Sequence, residues 1–115
     1  MVELIATPTL EDIRRVAERI VTLFRPHRVV LFGSRAGGAP TADSDVDLLV
    51  VMRGRLPNVE QAVAIRRAID LPFPTDLLVR TPEQIAARVA LGDTFWKAMM
   101  TKGVVLYEAT DAGVG

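Results

Sequence analysis

The 115-residue chain has no cysteine, which excludes disulfides, zinc–thiolate centres and cysteine nucleophiles. Long apolar runs are missing too. Stretches such as Leu48–Met52 are strand-sized, whereas a membrane span needs about 20 residues. The opening Met1–Pro8 carries no basic segment followed by an apolar one, so no secretory leader is expected and the expected location is cytoplasmic. Neither sign of charge is in excess. Fourteen Lys+Arg balance fourteen Asp+Glu, so no overall field draws the chain to nucleic acid or to anionic lipid, and a generic nucleic-acid coat is excluded. There is one histidine, and aromatic residues make up only 5% of the chain.

What is present is an ordinary globular composition, 50% hydrophobic and 24% charged, in a length typical of one domain. No repeat, linker or low-complexity block interrupts it. Residues 1–108 read as one domain and 109–115 as a flexible C-terminal tail. Apolar residues at Leu10, Ile13, Val16, Ala17, Ile20 and Leu23 recur with helical spacing behind Thr9, with Asp12 three residues on, so a helix is predicted near 9–25 and ends before Pro26. Arg28–Phe32 reads as a strand closed by Gly33. Residues 33–44 read as a loop with at most one helical turn. Asp45–Met52 reads as a central strand, Val59–Ile69 as a helix, and Thr75–Arg80 as a third strand. Thr81-Pro82-Glu83-Gln84 is a helix start leading to about Leu91. A further helix over Asp93–Lys102 and a short strand over Val104–Tyr107 complete the pattern. The implied architecture is α/β of the α+β type, a mixed sheet of three core strands plus an edge strand, flanked by helices.

The chemistry concentrates in Gly33-Ser34-Arg35 and in Asp45-Val46-Asp47, with ten residues between Ser34 and Asp45. Residues i and i+2 of a strand share a face, so Asp45 and Asp47 point the same way and can supply ligands to a two-metal site. Asp76 opens the next strand and, like Asp47, leads into Leu-Leu-Val. Clustered carboxylates raise one another's pKa values unless a cation lies among them. Gly33 permits a sharp turn, the N–H groups beyond it and the Ser34 hydroxyl can cradle phosphate oxygens, and Arg35 can add a bidentate contact. These groups meet only if the strand ending at Gly33 runs antiparallel to the one entered at Asp45. A helical crossover then makes the Asp47 and Asp76 strands parallel neighbours.

Taken singly, each feature has a plain structural explanation: a strand-ending turn, solvated strand-entry aspartates, a surface arginine. Jointly they are far more specific. Other motifs fail. There is no Gly-Lys-Ser/Thr ending for a Walker A loop and no Gly-x-Gly-x-x-Gly. Asp43-x-Asp45-x-Asp47 imitates an EF-hand loop, yet Leu48 stands at the glycine position and Gly54 at the closing glutamate. Ser34 as a nucleophile would need a base, and His27 lies roughly 20 Å away along the same strand at about 3.3 Å per residue. His27 reads as a surface residue. Phe95, Trp96, Met99 and Met100 read as core, with part of the cluster available to a partner. Arg53, Arg55, Arg66 and Arg67 read as solvated.

Leu31-Phe-Gly33-Ser34-Arg35-Ala36, Ser44-Asp45-Val-Asp47-Leu-Leu-Val and Gly103-Val-Val-Leu-Tyr107 together resemble the polymerase-beta-type nucleotidyltransferase superfamily, and within it the minimal nucleotidyltransferases. One departure is Gly37-Gly38, where many relatives carry a second basic residue. The resemblance implies a polymerase-beta-like fold and Mg²⁺-dependent transfer of AMP from ATP to a hydroxyl. Asp45 and Asp47 would bind two Mg²⁺, Asp76 would complete the site and take the acceptor's proton, and Gly33, Ser34 and Arg35 would hold the nucleotide. Larger members carry an added acceptor-binding domain, and the resemblance implies that a helical HEPN-type toxin takes its place, with this chain as the adenylylating antitoxin. A homo-oligomer is compatible with this. The alternatives are a small-molecule transferase of the aminoglycoside type working with a separate helical subunit, and a catalytically silent binding module.

Overall fold

The first helix, α1 (Leu10–Phe24), starts where its side chains tie off free amides. In the computed structural model, which describes residues 4–37 and 45–110, the Asp12 amide donates to the Thr9 hydroxyl at 3.1 Å. The Thr9 amide donates to the Asp12 carboxylate at 2.8 Å. This reciprocal pair satisfies donors that no intrahelical carbonyl can reach, and it holds the Asp12 carboxyl below its ordinary range. Ile13, Val16, Ala17 and Ile20 form the buried stripe of α1.

Four strands follow in the order β3-β2-β1-β4: β1 (Arg28–Phe32), β2 (Val46–Val51), β3 (Thr75–Arg80) and β4 (Val104–Glu108). β1 pairs antiparallel with both β2 and β4, while β2 and β3 are parallel and connected through α3 (Asn58–Ala68). The sheet is therefore mixed, as expected. It has two edge strands rather than one: β3 lies at one border and β4 at the other, with β1 and β2 inside. β2 is buried along its length except at Asp47, which is half-buried. A strand covered on both faces has no solvent side on which to place polar residues.

The two faces carry separate apolar clusters. Val29, Leu31, Val46, Leu48, Val50, Leu77 and Val79 pack under α1 and α3 with Ile13, Val16, Ile20 and Ile65. Val30, Leu49 and Val51 pack under α4 (Pro82–Ala90) and α5 (Thr94–Lys102) with Ile85, Trp96 and Met99. Alternation then puts Phe32, Asp47, Asp76 and Arg80 on the α4–α5 face. The Arg80 guanidinium lies 5.8 Å from the Trp96 ring centroid on that face. Trp96 and Met99 are core, whereas Phe95 is half exposed.

Two local readings change, and one helical turn is found where the sequence allowed for it. The second strand begins at Val46, so Asp45 sits just outside the sheet, because the chain is still entering the ladder there. Between Gly33 and the second strand, the helical turn α2 (Ser34–Gly37) is present, while Gly38, Asp43 and Ser44 fall outside the described residues. Arg66 and Arg53 are not simply solvated. Arg66 donates to the Thr75 carbonyl, and Arg53 forks onto Glu83 while lying 3.0 Å from His27 Nε2. His27 is half-buried. The Ala109 amide donates to the His27 carbonyl at 2.9 Å, and residues 111–115 of the expected tail lie outside the described region.

Candidate active site

The site is assembled by register. Phe32 pairs with Asp47 across β1 and β2, and Asp47 pairs with Asp76 across β2 and β3. Three neighbouring strands therefore place Phe32, Asp47 and Asp76 side by side on the α4–α5 face, at the end of the sheet where β1 stops and β2 and β3 begin. Asp47 and Asp76 are direct cross-strand neighbours on the same face, close enough for Asp76 to act on the Asp47 carboxyl. Partial burial first, then the charge and hydrogen bond of Asp76, and last the charge of Asp45 push the Asp47 carboxyl above its ordinary range.

Gly33 abuts the Asp47 side chain from the β1 side. Its φ is +75°, a left-handed conformation natural to glycine. A Cβ there would overlap the Asp47 carboxylate. The turn and the carboxylate thus fit only because residue 33 has no side chain. Ser34 follows as the first, exposed residue of α2, and the Gly33 carbonyl accepts from the Ala36 amide at 3.1 Å.

Of the six residues singled out in the sequence, the fold brings Gly33, Ser34, Asp47 and Asp76 to one sheet end. Asp45 stands exposed at its rim, close enough for Asp47 to feel its charge. Arg35 lines a different groove, with Arg66, Leu71 and Thr75. Among the described residues, no three acidic or histidine side chains converge as a ready-made metal cage. The donor set still suits a hard divalent cation. Carboxylates set side by side repel one another, a cation between them relieves that repulsion, and oxygen donors are what Mg²⁺ takes.

Sequence reasoning missed three residues in or beside the site. Phe32 is one, although its place next to Gly33 on an alternating strand is a signal for it. Arg66 is another: from α3 it grips the carbonyl of Thr75, the residue before Asp76. Nothing in the local pattern announces that contact. The third is Phe95, which with Phe32, Gly33 and Lys102 lines a cleft of about 760 Å³ beside the carboxylates.

Residues 13–91 match the family model of the nucleotidyltransferase domain. The chain belongs to the nucleotidyltransferase domain family. Such domains transfer a nucleoside monophosphate from a nucleoside triphosphate and in general use a divalent metal. The fold agrees. A crystal structure from Sulfolobus solfataricus, of a protein provisionally named a nucleotidyltransferase, superimposes with a TM-score of 0.62. It is 21% identical and the match covers 89% of this nucleotidyltransferase and 82% of that chain. No curated protein matches the sequence. Among the described residues of the nucleotidyltransferase, no helix is long and apolar enough to cross a membrane.

Proposed function

We propose that this nucleotidyltransferase moves AMP from ATP to a hydroxyl of a helical, HEPN-type protein partner, silencing it as an antitoxin does. The observation that carries a transferase reading is Asp47 held against the side-chain-free Gly33 turn with Asp76 beside it in cross-strand register. Clustered, mutually repelling carboxylates are a cost to a module that only binds, and they serve a metal-assisted phosphoryl transfer. The antitoxin role and the HEPN partner rest on the resemblance to minimal nucleotidyltransferases.

In this reading Asp45, Asp47 and Asp76 hold Mg²⁺, which when bound stabilises charge on the attacking and leaving oxygens. The Ser34 hydroxyl and the amides beyond Gly33 hold the triphosphate, with Arg35 adding positive charge from α2. The acceptor oxygen forms a bond to the α-phosphorus as the bond from that phosphorus to the bridging oxygen breaks. Pyrophosphate leaves, and the acceptor's proton passes to Asp76.

The test is label transfer from α-labelled ATP and Mg²⁺ into a lysate of the source organism, with Asp47→Ala as control. One labelled protein band, absent with the variant, supports a protein adenylyltransferase and identifies its acceptor. Label in a small molecule instead supports the aminoglycoside-type transferase. No label with any nucleoside triphosphate overturns catalysis and leaves the silent binding module.

A further inference from the structure

We infer that the cleft between the end of β1 and α5 takes the nucleobase of the triphosphate, with Phe95 as its stacking platform, and that it favours purines without distinguishing adenine from guanine. The inference rests on the proposed nucleotidyl transfer and goes beyond it by assigning base recognition to a residue outside the Gly-Ser and aspartate motifs.

The cleft is continuous with the reaction centre. Gly33 forms part of its wall, and the same Gly33 abuts the Asp47 carboxylate. A nucleotide whose phosphates lie at Gly33 and Ser34 must place its base one ribose away, and this opening adjoins that point. Its volume, about 760 Å³, lies in the range of small-molecule sites. Phe32, Ala36, Phe95, Ala98 and Met99 line it, and Lys102 is the one charged side chain among its described walls.

Phe95 is built as a platform. It is 51% exposed, an unusual state for phenylalanine, yet it is held on two sides. The Phe32 ring lies nearly perpendicular to it, 6.3 Å between centroids, and so does the Trp96 ring, at 5.4 Å. A ring fixed by two neighbours loses little freedom on stacking, which favours binding. Stacking on an aromatic face is tolerant of base identity and grows with ring area. The cleft side chains offer one ammonium donor, which the ring acceptors of adenine and guanine can both satisfy. Area therefore separates purine from pyrimidine, and nothing in the lining separates the two purines.

The experiment is calorimetric titration of the full chain with α,β-methylene analogues of ATP, GTP, CTP and UTP in Mg²⁺, alongside inorganic tripolyphosphate. The variants are Phe95→Leu, which keeps bulk but removes the aromatic face, and Phe95→Tyr, which keeps the face. The expected result has three parts. ATP and GTP analogues bind within a few-fold of each other and about tenfold more tightly than the pyrimidine analogues. Phe95→Leu weakens purine binding about tenfold, leaving tripolyphosphate unaffected. Phe95→Tyr retains the purine preference. Unchanged purine binding in Phe95→Leu with normal tripolyphosphate binding overturns the base site alone. Equal binding of purines and pyrimidines, or strong preference for one purine, overturns the selectivity. If wild type binds neither nucleotide analogue nor tripolyphosphate, the nucleotidyl-transfer reading fails with it.

Discussion

Asp47 is the residue on which most of the chemistry turns, and its environment makes a sign prediction possible. In metal-free protein, burial and the neighbouring carboxylates raise its pKa above the ordinary 3.8. The folded state then binds its proton more tightly than the unfolded chain does. Its contribution to stability is full below the unfolded value and is lost as pH rises through the raised folded value. At neutral pH without metal, Asp47→Asn is therefore expected to melt above wild type. The gap should narrow as the pH is lowered through that window, as melts in EDTA across pH 4 to pH 7, roughly the range above the unperturbed carboxylate values, will show. Mg²⁺ should raise the wild-type melting temperature more than that of the variant. The same substitution should cut transfer by about 100-fold or more, since a metal ligand is worth several kcal/mol in the transition state. Gly33→Ala should act on the same atom from the other side. Left-handed backbone costs about 1–2 kcal/mol for a residue with a Cβ, and the new methyl displaces the Asp47 carboxylate. Activity should fall more than stability, a difference that parallel urea melts and label-transfer rates will resolve.

At the scale of elements, α5 matters because it carries both the core residue Trp96 and the cleft residue Phe95. Its start is fixed by Asp93, whose carboxylate accepts from the Phe95 amide at 3.0 Å and the Trp96 amide at 3.3 Å. Hydrogen bonding from Arg88, ahead of those amides, holds Asp93 below its ordinary range. Its far end is fixed by Gly103, where a Cβ would come within 2.6 Å of both the Met99 carbonyl and the Val30 side chain. The helix therefore approaches β1 more closely than any other residue at 103 allows. Gly103→Ala is expected to cost about 1–3 kcal/mol, as overpacking does, measured as a lower urea midpoint with an unchanged slope. Asp93→Ala should leave the sheet intact and loosen Phe95, seen as faster exchange of the α5 amides.

For the molecule as a whole, the sheet is one beam bearing two separate cores. β2 sits between them with Leu48 on one face and Leu49 on the other, both fully buried. Leu48→Ala is expected to cost about 2–5 kcal/mol, a large share of the roughly 5–15 kcal/mol that holds a typical domain. Because β2 also carries Asp47, that loss should lower the amount of folded protein without changing the nucleotide affinity of what remains folded. Calorimetry on the folded fraction distinguishes the two. Zero net charge gives no long-range steering, so association with a partner should depend only weakly on salt.

Much of this was legible along the chain, for physical reasons that differ from place to place. Helix starts at Thr9 and Thr81 are local events, a hydroxyl and a partner three residues on, and both capping pairs form as read. The 2-residue and 3.6-residue apolar periods identified the strands and the helices that cover them. The antiparallel pairing followed from requiring the Gly-Ser turn and the aspartates to meet, and the parallel one from the helical crossover between the two aspartate strands. What lay beyond local pattern was set by packing between distant segments. Asp45 falls outside the ladder, β3 lies at an edge, Arg66 reaches across to Thr75, and Arg35 lines another groove, each because of neighbours far away in the chain. The same holds for Phe95, which local periodicity could not tell from core. Composition and spacing alone determined the sheet, its helices and the carboxylate–glycine constellation, because those depend on short-range geometry. Only the tertiary structure decided how close Asp47 comes to Asp76 and which aromatic ring borders them, because both depend on strand register and helix placement.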